Sequence, residues 1–181
     1  MYCLILVDGF EEIEAVTTAD ILIRAGIPLK TVGISDKTVT GAHGIRILAD
    51  LSPEQINIET IELIILPGGL RGRDNLLKSE WCKNAIVSAA RRDRTVAAIC
   101  AAPTVLSSLG LLNGKEATCY KGMENELGSA VFCPRNVVRD GNIITGASVG
   151  VTVEFALEII EAVKGRGEKE KILKSIKFYE N

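Results

Sequence analysis

Short apolar runs rich in β-branched residues alternate with segments of helical period along most of the chain. Tyr2-Cys3-Leu4-Ile5-Leu6-Val7 reads as a strand over 2–7. A helix follows over about 12–24, with apolar Ile13, Val16, Ala19, Ile21 and Ile23, and Gly26 stops it. A strand over 29–34 comes next, then a polar section to Asp50 in which 45–48 forms a short strand. Ile61-Glu62-Leu63-Ile64-Ile65-Leu66 reads as a buried parallel strand. A helical stretch runs from the glycines after it through Arg92, followed by a buried strand over 95–99 and a helix over 102–109. Asp140-Gly141, between apolar segments 136–139 and 142–145, predicts a two-residue hairpin. Two helices, 152–163 and 168–178, end the pattern.

This alternation is what crossover connections impose on a largely parallel sheet covered on both faces, so the class is α/β with an appended β-hairpin. With 181 residues, 47% of them hydrophobic, the chain can bury roughly 70% of its unfolded surface. That is enough for a single domain over 1–181. Lys+Arg number 21 against 23 Asp+Glu, a net charge of −2, which lacks the basic excess that nucleic-acid binding needs. No apolar run reaches the length of a membrane span, and the apolar start, broken by Asp8, is no secretory signal. Cys3, Cys82, Cys100, Cys119 and Cys133 are odd in number and lack C-x-x-C spacing, which fits reduced thiols in a cytoplasm. A lone histidine, His43, excludes histidine-rich metal sites. No metal or cofactor is expected.

Ala98-Ile99-Cys100-Ala101-Ala102-Pro103 places a thiol between an apolar strand and a helix that opens with proline, the setting of a nucleophile elbow. Unpaired N–H groups at that helix start favour thiolate. The other four cysteines read as structural, since free cysteine is among the most buried residue types. Gly68-Gly69 follows the strand 61–66, and ligands of open parallel sheets bind beyond the carboxyl ends of strands, so these glycines and Cys100 share one rim. Glycine there lets backbone N–H groups approach an oxyanion; alternatively, Gly68 to Gly72 with Arg71 and Arg73 could cradle a phosphate, without the Gly-Lys-Ser/Thr ending of a P-loop. Glu11 and Glu14 fall on nearly one helix face at the same rim while Glu12 turns away; a first-turn carboxylate is more often simply solvated.

Gly9-Phe10-Glu11-Glu12-Ile13-Glu14-Ala15-Val16, Leu66-Pro67-Gly68-Gly69 and Ala98-Ile99-Cys100-Ala101-Ala102-Pro103-Thr104 together resemble the ThiJ/PfpI superfamily, nearest its DJ-one and YajL branch. Arg24-Ala25-Gly26, the segment from Gly41 to Asp50, Val153-Glu154-Phe155-Ala156-Leu157 and the ending Phe178-Tyr179-Glu180 extend the likeness over the whole length. The resemblance implies a flavodoxin-like three-layer sandwich, a homodimer, Cys100 as nucleophile and Glu14 as the acid beside it. It gives Gly69 and Ala101 the oxyanion N–H groups, with Gly68, Tyr120, Arg24 and His43 lining the site. It also implies glyoxalase- or deglycase-type processing of small reactive carbonyls such as methylglyoxal, or a redox-sensing, stress-protective role for an oxidisable cysteine. Two features depart from the pattern. Tyr120 stands where many members have a histidine, and Gly146-Ala147-Ser148-Val149-Gly150 lacks an expected arginine. Ala101, where the peptidase-like branch has histidine, argues against proteolysis.

Overall fold

The computed structural model of the chain describes residues 1–178. Its strands are β1 (Tyr2–Leu6), β2 (Leu29–Gly33), β3 (Thr38–Thr40), β4 (Arg46–Leu48), β5 (Leu63–Leu66), β6 (Thr95–Ile99), β7 (Glu116–Ala117), β8 (Val131–Phe132), β9 (Val137–Asp140) and β10 (Ile143–Gly146). Its helices are α1 (Glu12–Arg24), α2 (Leu70–Lys78), α3 (Glu80–Arg91), α4 (Pro103–Ser108), α5 (Thr152–Lys164) and α6 (Arg166–Ser175). The central sheet has the order β2-β1-β5-β6-β10-β9 and is parallel except for β9, which pairs antiparallel with β10.

Because side chains alternate across a sheet, each central strand feeds two cores. Cys3, Ile5, Ile64, Leu66, Val96 and Ala98 face a layer with Leu76, Ile86 and Val105 from α2, α3 and α4. Leu4, Leu6, Leu63, Ile65, Ala97 and Ile99 face the opposite layer, with Leu22, Phe155, Ile159 and Ile172 from α1, α5 and α6. This is the three-layer α/β sandwich expected from the alternation. Among the described residues no helix is long and apolar enough to cross a membrane.

The differences from expectation are local. The helical stretch through Arg92 is two helices, because Ser79 leaves the helix in extended conformation and caps α3 by accepting from Cys82 N–H at 3.2 Å. The strand at 45–48 is real as β4, but its partner β3 lay hidden in polar sequence. The hairpin turn is shifted by one residue: Asp140 pairs with Ile143, leaving Gly141 and Asn142 as the loop, with Gly141 at φ 61°. The last helix is Arg166–Ser175 rather than 168–178, and Tyr179 and Glu180 lie outside the described residues.

Candidate active site

Cys100 sits between the end of β6 and α4 at φ 63°, in the left-handed region that costs a non-glycine residue of order 1–3 kcal/mol. Two backbone hydrogen bonds hold it there: Cys100 N–H donates to Gly146 O at 2.9 Å, and Tyr120 N–H donates to Cys100 O at 2.8 Å. The adjoining β6 residues and Ala101–Ala102 are buried, so the strained turn is clamped by packed structure on both sides. The residue as a whole is left partly exposed.

Glu14, in the first turn of α1, is only 1% exposed, and its Oε2 accepts from Gly68 N–H at 2.7 Å. Nothing larger than glycine fits at 68. A Cβ there would stand 2.7 Å from Cys100 Cβ and 2.8 Å from Glu14 Oε2, so the absent side chain is what lets carboxyl and thiol share one space. Gly69 has φ 91°, and a Cβ on it would meet Gly9 O at 2.3 Å. The loop after β1 is therefore laid directly on the loop after β5, with Glu11 N–H donating to Gly68 O (3.0 Å) and Gly72 N–H to Gly9 O (3.1 Å). The backbone N–H groups of Gly69 and Ala101 lie close enough to Cys100 to lower its pKa.

Burial pushes the Glu14 carboxyl up to about 7 against the pull of the Gly68 N–H and Cys100. Facing an ionised Glu14, the Cys100 thiol is pushed up to about 12, first by burial and then by the carboxylate's charge and hydrogen bond. The N–H groups of Gly69 and Ala101 pull it down, as a helix start should, but burial and the carboxylate outweigh them. Glu14 Oε1 is buried with no partner of hydrogen-bond geometry, an arrangement that costs about 1–3 kcal/mol. A proton on Glu14 removes the carboxylate's charge and turns its hydrogen bond with the sulfur into a donor's. The two groups therefore titrate as one unit.

A profile of the DJ-1/PfpI family matches residues 2–162. The chain belongs to that family. It is 35% identical over 175 residues to protein dj-1beta of Drosophila melanogaster, covering 95% of this chain and 94% of that protein. The crystal structure of Drosophila DJ-1beta superposes with a TM-score of 0.91 over 97% of this chain and 96% of that one, at 35% identity. A Caenorhabditis elegans relative named glutathione-independent glyoxalase DJR-1.2 is 31% identical over 168 residues, covering 92% of this chain and 89% of that protein.

In this DJ-1/PfpI protein the remaining site candidates divide. Tyr120 adjoins Cys100 through its backbone, and its half-exposed side chain lines a hollow of about 420 Å³ with Thr118, Phe132, Arg135 and Ser148. Arg24 does not reach the site of its own chain. It lies ten residues along α1 from Glu14, some 15 Å at 1.5 Å per residue, and pairs with Asp20 at 2.6 Å. His43 is also drawn elsewhere: its ring Nδ1 lies 2.9 Å from Glu12 Oε2, and Glu12 Oε1 accepts from the N–H groups of His43 (2.7 Å) and Ile45 (3.3 Å). Burial works to raise Glu12, but these hydrogen bonds hold it below its ordinary value, while the Glu12 hydrogen bond raises His43. Glu12 does turn away from Cys100, yet it is buried at 5% exposure, bracing the loop between β3 and β4. Glu11, Glu12 and His43 bring ligand-type atoms within 4.8 Å of one another, but Glu12's oxygens are already taken up by that loop. The phosphate cradle loses most of its donors for a similar reason. Gly68 and Gly72 N–H groups are spent on Glu14 and Gly9, and Arg73 is paired with Glu126 at 2.8 Å.

Gly9 is the residue that sequence reasoning missed. It follows the first strand at the carboxyl rim, and the rule that singled out Gly68-Gly69 applies to it equally.

Proposed function

We propose that the protein processes small reactive carbonyls, taking methylglyoxal or glyoxal to the 2-hydroxy acid without glutathione. The observation that carries this reading is the juxtaposition of a protonatable buried carboxyl, Glu14, with a strained-elbow thiol, Cys100, across a glycine that leaves no side chain between them. The name of the C. elegans relative supports it.

Cys100 thiolate adds to the aldehyde carbon, forming the C–S bond of a hemithioacetal, and the carbonyl electrons move to oxygen. The N–H groups of Gly69 and Ala101 receive that oxyanion, and Glu14 gives it a proton. The resulting carboxylate takes the proton on the carbon bonded to sulfur, and an enediol forms. Return of that proton to the adjacent carbon yields the thioester of the hydroxy acid. Water then breaks the C–S bond, releasing hydroxy acid and restoring the thiolate. Oxidation at one carbon balances reduction at its neighbour, so no external redox partner enters. The test is lactate formation from methylglyoxal, present in the native protein and abolished in Cys100→Ala.

A second reading is a redox sensor or stress-protective protein, favoured by the buried, unpartnered Glu14 Oε1. Two equivalents of hydrogen peroxide would take the Cys100 thiolate to sulfinate, releasing water, and a neutral Glu14 would donate to a sulfinate oxygen. A protein that gains 32 mass units at Cys100 in dilute peroxide, roughly two oxygen atoms, while making no lactate belongs to this class.

The active form in this proposal is a homodimer. Ile13, Val16 and Ile23 on α1 and Leu48 on β4 are 50–73% exposed, beside an apolar hollow of about 270 Å³ lined by Leu4, Ala15, Ala19 and Ile47 among others. An apolar face of this kind on a packed sandwich marks an association surface. Five free thiols suit a reducing compartment such as the cytoplasm.

A further inference from the structure

The hollow beside Cys100 holds more than a three-carbon dicarbonyl needs. Its volume is about 420 Å³, in the range of pockets that take whole organic ligands. It is joined to the elbow from both sides: Tyr120 N–H holds Cys100 O, and Gly146, which accepts from Cys100 N–H, leads into the lining residues Ala147 and Ser148. The sulfur itself is not part of the lining, so the hollow adjoins the elbow through the backbone neighbours of Cys100 and is a place for an arm carried by a carbonyl bonded there. The charges around the hollow are largely committed to one another. Arg135 pairs with Glu116, and Glu124 takes the Gly122 N–H and lies in the field of Lys121. Beside Lys121, which lies in the field of Glu124, the hollow offers a ligand aromatic surface: Tyr120 is 45% exposed and Phe132 41%, and both line it. Two half-exposed rings facing one cavity are poised to cover a third.

We infer that this hollow is an aryl-binding subsite, so that the preferred substrates are α-oxoaldehydes bearing an uncharged aromatic arm rather than methylglyoxal itself. The inference rests on the carbonyl-processing reading and names its substrate class. The reaction is the same internal redox, with the ring carried unchanged to a 2-aryl-2-hydroxy acid.

The experiment compares kcat/KM for phenylglyoxal and methylglyoxal in the native protein and in Phe132→Ala and Tyr120→Leu. It also compares binding of the products, mandelate and lactate, by thermal shift. A preference of about tenfold or more for phenylglyoxal, carried in KM, is expected, as hydrophobic pockets give for added apolar bulk. Phe132→Ala and Tyr120→Leu should each bring the ratio toward one and remove the tighter binding of mandelate. Equal kcat/KM for the two aldehydes, or a preference that neither substitution moves, overturns the subsite. Should neither aldehyde turn over, the carbonyl reading fails, and the mandelate-against-lactate comparison still decides the subsite: equal binding refutes it, and ring-dependent binding lost in Phe132→Ala upholds it.

Discussion

Gly68 and Glu14, 54 residues apart in sequence, are joined by a 2.7 Å hydrogen bond from the Gly68 N–H to Glu14 Oε2, and the space that Gly68 leaves empty is filled by Cys100 Cβ. Gly68→Ala therefore strikes both partners at once. Its Cβ would also meet Ile99 O at 2.9 Å, where backbone cannot yield cheaply. A stability loss of about 1–3 kcal/mol is expected, as for overpacking of a filled interior, together with a large fall in Cys100 alkylation. Denaturant midpoints and iodoacetamide rates on this variant check both.

Alkylation of Cys100 should rise with pH up to about 7, where burial has placed Glu14, and then level off instead of climbing through the range of an ordinary thiol. The one-proton form of the pair, which includes the thiolate, appears as the first proton leaves and persists until the second leaves near 12. Mass mapping should find Cys100 labelled before the buried Cys3 and Cys82, which burial pushes up to about 11. A rate that keeps rising past pH 9 would show a thiol titrating independently of Glu14.

Glu14 also ties stability to pH. Its folded-state pKa of about 7 lies above the ordinary 4.5, so the folded protein binds more protons than the unfolded chain between those values. Stability contributed by the neutral carboxyl is full below pH 4.5 and is lost as pH rises through 7, by up to about 3 kcal/mol at 1.36 kcal/mol per pH unit. Glu14→Gln lacks this titration. Chemical denaturation of the two proteins at pH 4.5 and 7.5 should show native stability falling relative to the variant; a parallel course would contradict the buried-acid assignment.

Light scattering at micromolar concentration should give the mass of two chains. Val16→Glu, which puts a charge on the exposed apolar face of α1, should give one, because an unpaired charge in an apolar interface costs several kcal/mol. A native monomer would remove the dimer proposal.

Much of this architecture was legible in the sequence because its signals are periodic or local. Alternation of side chains across β1, β5 and β6 set the two cores, and small residues around Cys100 announced the tight turn. Gly68-Gly69 was readable as a rim glycine, but its role as the gap between Glu14 and Cys100 was not, since that depends on how three loops meet. The break at Ser79 was masked by helix-compatible neighbours, and the two-residue strands β7 and β8 are too short to leave a pattern. Glu12 looked solvated because its burial is bought by N–H groups from His43 and Ile45, some thirty residues on. Arg24 was drawn to the site mouth through the expected homodimer, where it or His43 would come from the partner subunit; within its own chain the rise of α1 carries it away.

Glu14→Gln, a change that hardly alters size, tests the proton carrier most directly. The amide keeps a donor for the sulfur but cannot move protons, so methylglyoxal turnover should fall by roughly a hundredfold or more while iodoacetamide still alkylates Cys100. Turnover that survives the substitution in an enzyme whose Cys100→Ala form is dead would contradict Glu14 as the proton carrier.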